Sequence, residues 1–369
     1  MTAASAAVQT VTWEAWIHQP GVFDIGGPQS DGKLVLAATG GLFLATAAGQ
    51  VEPFARGAGG YQAPPPLSEA YIAVSPGLHD AGSGCDFVRD DVFVLQLARP
   101  VGVVRVSADG RAAVFAAVSN ADTLNGIVFD LTGRFGHQLL VTGPRGGHSV
   151  VDAIDCRGKV TPVTEAAPTL EGGLAVAPTG FGSYAGDLIA PDELSGRLLA
   201  ISAEGTSSVI AQSGLPHGGD IGVEGVSFVP PGFLSGGSAY FADRSTPGNP
   251  HPGTDTVLRL TAAQLDLARV REGDLLAATE GGALMVAIHC GGECTVTPVV
   301  ETPSVAHGEG HLVLVADHSP GPAPTLTALK DLGGTARLER FAEWLGITLI
   351  SAATAGAVAL SIRRRRARH

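Results

Sequence analysis

The sequence predicts an all-β protein, a β-propeller of about six four-stranded blades, and three observations carry that prediction. Glycine and proline are frequent, at 51 and 24 of 369 residues, while only 16% of residues are charged and 45% are hydrophobic. That combination excludes a disordered chain, which needs the reverse balance, and a helical bundle, which cannot carry a breaker at every fifth position. A phrase then recurs at intervals of 56, 46 and 53 residues: Glu69, Asn125, Glu171 and Glu224 each open a short apolar run that ends in a Pro or Gly turn. Finally, x-Gly pairs sit between alternating strands at Asp109-Gly110, Arg157-Gly158 and Glu204-Gly205, which marks hairpins. Repeats of about fifty residues built from hairpins are the pattern of propeller blades.

The blades follow in order. Residues 32–55 read as strand, Gly-Gly turn, strand, turn, strand, and form a first blade. The openings at 68–76, 124–133, 170–178 and 223–232 each start a blade, and second strands follow at 91–97, 137–143, 186–191 and 238–243. Hairpins at 102–116, 151–164 and 196–211 complete three of them. Residues 273–300 repeat the pattern of 32–55 as the last full blade, and 311–318 is expected to close the ring against the N-terminal blade. The propeller spans 10–318, after an N-terminal segment at 1–9. The Pro-rich loop at 244–255 is expected on a face of the disc.

Beyond the ring, residues 319–343 read as a stalk. Residues 344–362 contain 19 residues without a charge, and a helix of about 1.5 Å rise per residue would take them across a bilayer core. Trp344 suits the interface, and Arg363, Arg364, Arg365, Arg366 and Arg368 in the tail at 363–369 suit a cytoplasmic anchor. Setting those five arginines aside takes the net charge from −12 to −17. An acidic body argues against nucleic-acid partners. The reading is a single-pass membrane protein with the propeller outside the cytoplasm. The start of the chain shows no basic, apolar export signal, so the alternatives are a start further upstream, another export route, or a body that stays in the cytoplasm. Cys290 and Cys294 flank a hairpin turn within disulfide reach, and Cys85 and Cys156 form a second bridge or stay reduced.

In a propeller the innermost strand of each blade lines a central channel. The recurring openings therefore place Glu69, Asn125, Glu171 and Glu224 around one channel mouth, with Glu309 completing the ring and Glu280 a weaker member. Packed carboxylates repel one another unless they hold protons or a cation, and Ca2+ takes oxygen ligands of this kind. The Gly after each acid lets blades approach closely. Two histidine groups are candidates for general-base chemistry: His217 with Asp220, and His307 beside Glu309. In His307-Gly-Glu309-Gly-His311 the three side chains would share one face of a regular strand and could hold a divalent metal.

The phrases LNGIVFD, LEGG and VEGV resemble those of six-bladed gluconolactonase, SMP-30 and strictosidine-synthase-like propellers. The resemblance implies a divalent ion, usually Ca2+, held by an Asn and a Glu, here Asn125 and Glu171 or Glu224, and polarising a lactone or ester carbonyl. The chain lacks a clear late-blade Asp-Gly opening to match that family's acidic base. Three functions follow as expectations: an anchored propeller binding a small molecule, glycan or protein partner through the ion; a Ca2+-dependent hydrolase of lactones or esters; and a structural surface module.

Overall fold

The computed structural model describes residues 10–316, apart from residue 67. Six four-stranded antiparallel sheets form the ring. Blade one is Val22–Gly26, Leu34–Ala38, Gly41–Ala45 and Val51–Phe54, listed from the channel outward. Blade two is Ile72–Val74, Val92–Gln96, Gly102–Val106 and Ala112–Ala117. Blade three is Gly126–Phe129, Leu139–Arg145, His148–Ile154 and Val160–Ala167. Blade four is Ala175–Val176, Leu188–Asp192, Arg197–Ile201 and Ser207–Gln212.

Burial explains why these sequences read as they do. A second strand lies between two neighbouring blades, so both of its faces are covered: Leu34–Ala38 and Leu188–Asp192 are buried at every position. Such strands are apolar without alternation. Outermost strands such as Ser207–Gln212 meet solvent and carry polar residues. Apolar layers between blades make the core. Phe93 meets Phe129 of blade three at 5.4 Å between ring centroids and Phe115 of its own blade at 4.9 Å, both edge to face.

The last two blades are interleaved. Blade five is Val223–Phe228, Leu275–Thr279, Met285–Cys290 and Cys294–Val300. Blade six is Gly308–Val315, Ser238–Asp243, Thr256–Thr261 and Glu14–His18. After the innermost strand of blade five, the chain crosses to lay two strands in blade six. It then turns through a short helix, Ala262–Leu267, with a Thr261/Gln264 capping box, and returns to finish blade five. This corrects two expectations. Residues 238–243 do not belong to the blade opened at 223, whose second strand is Leu275–Thr279. The strand expected to close the ring against blade one is instead the innermost strand of blade six, paired with Ser238–Asp243. Closure comes from Glu14–His18, the outermost strand of that same sheet, paired with Thr256–Thr261.

Both cysteine pairs are disulfide-bonded. Cys290–Cys294 spans the hairpin turn of blade five. Cys85–Cys156 ties a small two-stranded excursion of blade two, His79–Asp80 with Cys85–Asp86, to a turn of blade three. The expected stalk, membrane span and basic tail lie outside the described residues. Among the described residues no helix is long and apolar enough to cross a membrane.

Candidate functional site

The start of an innermost strand and the end of its antiparallel neighbour lie at the same rim of the ring. Each blade therefore offers two positions to one channel mouth. The recurring openings supply the first: Glu69, Asn125, Glu171, Glu224 and Glu309 precede or begin the innermost strands of blades two to six. The ends of second strands supply the rest: Glu193 follows Leu188–Asp192, Glu280 follows Leu275–Thr279, and Arg244 follows Ser238–Asp243. Glu193 and Arg244 were not anticipated from the sequence. Their signal is an apolar second strand ending in Asp192-Glu193, Asp243-Arg244 or Thr279-Glu280, visible once the blade register is known.

Glycines let this mouth close tightly. Gly173 and Gly225 bridge the innermost strands of blades four and five, and blade six approaches both through Gly310. A Cβ on Gly173 or Gly225 would lie 2.6 Å or 2.7 Å from the Gly310 carbonyl oxygen, so no side chain fits.

One half of the mouth is a chain of alternating charges. Arg244 Nη1 lies 2.6 Å from Glu69 Oε1 and 3.1 Å from Glu309 Oε1. His307 Nε2 lies 3.0 Å from Glu280 Oε1 and 3.5 Å from Glu309 Oε1. Burial opposes the imidazolium, but the hydrogen bonds to Glu280 and Glu309 outweigh it and push the His307 pKa up to about 10. His307 is thus a charged donor at neutral pH, while its buried Nδ1 has no hydrogen-bond partner among the described residues. Burial, then His307's opposing hydrogen bond and repulsion from Glu309, leave Glu280 raised to about 8.

The other half carries acids without cationic partners among the described residues. Glu171 rises to about 7 through burial first and repulsion from Glu193, against the Asn125 hydrogen bond. Glu193 is raised, chiefly by burial, and sits within hydrogen-bond reach of Glu280; one of its oxygens is buried without a partner among the described residues. Glu224, 3% exposed, is raised well above its ordinary value by burial and then by Glu309, Glu171 and Glu280. Its Oε1 accepts the Gly310 N–H at 3.1 Å and meets the Tyr71 hydroxyl at 2.8 Å, which also lies 3.1 Å from Glu309 Oε2. One hydroxyl hydrogen cannot serve two carboxylates at once. A protonated Glu224 donating to Tyr71, with Tyr71 donating to Glu309, satisfies all three.

Asn125 faces Glu171 with its amide nitrogen, 3.3 Å from Oε2, and also donates to the Leu170 carbonyl at 2.7 Å. Its oxygen accepts from the Thr142 hydroxyl at 3.1 Å. His217 and Asp220 lie exposed on the rim loop before blade five. His217 makes no hydrogen bond or ion pair to the mouth acids among the described residues, while Asp220 adds negative charge beside Glu193. The 244–255 loop leaves from this mouth, anchored where Asn249 donates to the Asp220 carbonyl and the Gly253 N–H to the Val305 carbonyl.

The three residues of the His-Glu-His run do not share one face. Gly310 adopts φ 66, which breaks the alternation. His307 and Glu309 stay at the mouth, and His311 turns deeper into the channel. There its Nδ1 lies 3.0 Å from Asp24 Oδ1 and its Nε2 2.7 Å from the Ile127 carbonyl. Both partners accept, so both nitrogens donate and His311 is an imidazolium. Asp24 also accepts the N–H groups of Ile72 and His311, so this pair joins blades one, two, three and six. Tyr71 packs edge-on against His311 at 6.2 Å, between it and the acids.

No family model matches the chain, and no curated protein matches it. Solved structures of similar fold include virginiamycin B lyase from Staphylococcus aureus, at 12% identity and TM-score 0.44 over 77% of this chain and 72% of that one. A streptogramin B lyase matches at 13% identity and TM-score 0.44, covering 83% and 92%. A candidate gluconolactonase matches at 11% identity and TM-score 0.44, covering 79% and 83%. The six-bladed fold expected from the blade openings is shown by the six four-stranded sheets themselves. At these identities the likeness concerns the fold alone.

Proposed function

We propose that this protein is a cation-dependent binding propeller, carried outside the cytoplasm on a membrane tether, whose acidic channel mouth holds a divalent cation of the Ca2+ type. The observation that carries the reading is the imbalance of charge: six glutamates (Glu69, Glu171, Glu193, Glu224, Glu280 and Glu309) converge with only Arg244 and His307 as described cationic partners. Arg244 bridges Glu69 and Glu309, His307 pairs with Glu280, and Glu224 keeps its proton, so the acids without a charged partner among the described residues are Glu171 and Glu193. Those residues offer only oxygen, as a hard cation prefers, and the orphaned Glu193 oxygen fits such an ion. Glu280, His307 and Glu309 also bring ligand atoms within 4.8 Å of one another. Arg244 on Glu309 and the proton on His307 disfavour an ion on that side. A bound cation would present an open coordination position to an oxygen of a small molecule, glycan or protein side chain.

Binding is favoured over lactone or ester hydrolysis. Of the two histidine candidates for a general base, His307 is held charged between two carboxylates and His217 stands apart on the rim, so a hydrolytic reading would have to use a raised glutamate such as Glu171. The extracytoplasmic placement draws support from two disulfides, which persist in oxidising compartments, and from the uncharged run and arginine tail at 344–369.

Calcium titration of the full chain, followed by thermal melting, tests the cation. Saturating Ca2+ at about 100 times its Kd should add about 2.7 kcal/mol of stability, and Glu171→Gln with Glu193→Gln should abolish most of the shift. No shift with any divalent ion would leave the structural-module reading standing. Protease treatment of intact cells tests topology: the propeller should be shaved off, and complete protection would place it inside.

A further inference from the structure

The opposite mouth of the channel has different chemistry. There the far ends of all six innermost strands splay around a cavity of about 290 Å3. Ile25, Val74, Phe129, Val176, Phe228 and Leu314 supply one lining residue from each blade. Ser227 and His311 carry the only polar side chains among the lining residues described. Towards the acidic mouth, the Asp24–His311 pair and Tyr71 occupy the channel, so the cavity has a floor.

That floor decides what the cavity can hold. His311 is charged, but its two nitrogens are spent on Asp24 and the Ile127 carbonyl, and the carboxylate neutralises it. No unpaired charge faces the cavity from its lining to attract an anion or a cation. Backbone groups of the innermost strands supply the rest of the polar lining, a minority of the wall. A concave space with aliphatic and aromatic walls and few polar groups is the usual form of a small-molecule site, and its size is near the lower end of the range, about 300 Å3.

We propose that this cavity is a second binding site, separate from the acidic mouth, for a small neutral apolar molecule such as an aromatic ring or a short alkyl chain. Two sites on opposite faces of one disc would let the protein carry an apolar group on one side while a cation-held ligand occupies the other. The apolar site does not depend on the cation: its lining contains none of the mouth carboxylates.

Calorimetric titration of the full chain with 1-naphthol tests the site. Saturable one-to-one binding is expected. Ala175→Phe should fill the cavity and Val74→Ser should make its wall polar, and each should weaken binding tenfold or more. Thermal melting verifies that each variant is folded; should Ala175→Phe fail to fold, Val74→Ser decides alone, because it adds no bulk. No saturable binding to the unmodified chain would overturn the proposal. So would wild-type affinity in a folded variant, because the probe would then be bound elsewhere.

Discussion

His311 gains its charge from geometry, since an imidazole with acceptors at both nitrogens must donate from both. Burial works against that charge, but Asp24's negative charge and hydrogen bond, with the Ile127 carbonyl, outweigh it and raise the pKa. Removing one partner of such a buried pair leaves an uncompensated charge or an empty acceptor. Asp24→Asn or His311→Ala should therefore cost about 3–5 kcal/mol, read as a lower denaturation midpoint; a loss below about 1 kcal/mol would show that the pair does not hold the blades together. This pair was only half legible in the sequence. His311 stood out in a His-Glu-His run, but the alternation assumed for a regular strand hid its turn at Gly310, and nothing near Asp24 marks a channel residue. The mouth acids were more legible, because a strand opening has a fixed place in a blade. Glu193 and Arg244 escaped because a second strand's end carries no recurring phrase.

At the scale of elements, the Cys85–Cys156 bridge closes a span of 71 residues between blades two and three. In the chain-entropy model a loop of that length corresponds to about 4 kcal/mol of stabilisation. Replacing both cysteines with serine should destabilise the protein by roughly 2–4 kcal/mol in denaturant melts, while the Cys290–Cys294 bridge, closing a far shorter loop, should contribute less. Equal losses for the two pairs would contradict the loop-length argument. Hairpins and strand openings were readable because their partners lie close in sequence. The exchange between blades five and six was not: Ser238–Asp243 and Leu275–Thr279 are both short, apolar second strands, and local composition cannot say which of them pairs with Val223–Phe228.

At the scale of the molecule, the mouth makes stability depend on pH. Glu69 is raised from 4.5 to about 7 by burial and repulsion from Glu309 against Arg244, Glu171 likewise to about 7, and Glu280 to about 8. A raised pKa means that the folded state holds the proton more tightly. Each acid's contribution is then complete below pH 4.5 and lost as pH climbs to 7 or 8. His307 follows the same sign, losing its contribution between 6.5 and about 10. In chelator, the melting temperature should fall from pH 5 to pH 9, and calcium should restore more of it at the upper end. A flat or rising profile in chelator would mean that the carboxyls are not desolvated as described.

The crossing of the chain between blades five and six has a further consequence. A single cut within the 244–255 loop would divide the protein into two polypeptides, neither holding all the strands of either blade. In the second, Thr256–Thr261 would lose both neighbours, Ser238–Asp243 and Glu14–His18, and Gly308–Val315 would lose its only partner in the sheet. Each piece would be the template on which the other folds, so the loop marks a natural point for splitting this protein into halves that report on their own reunion.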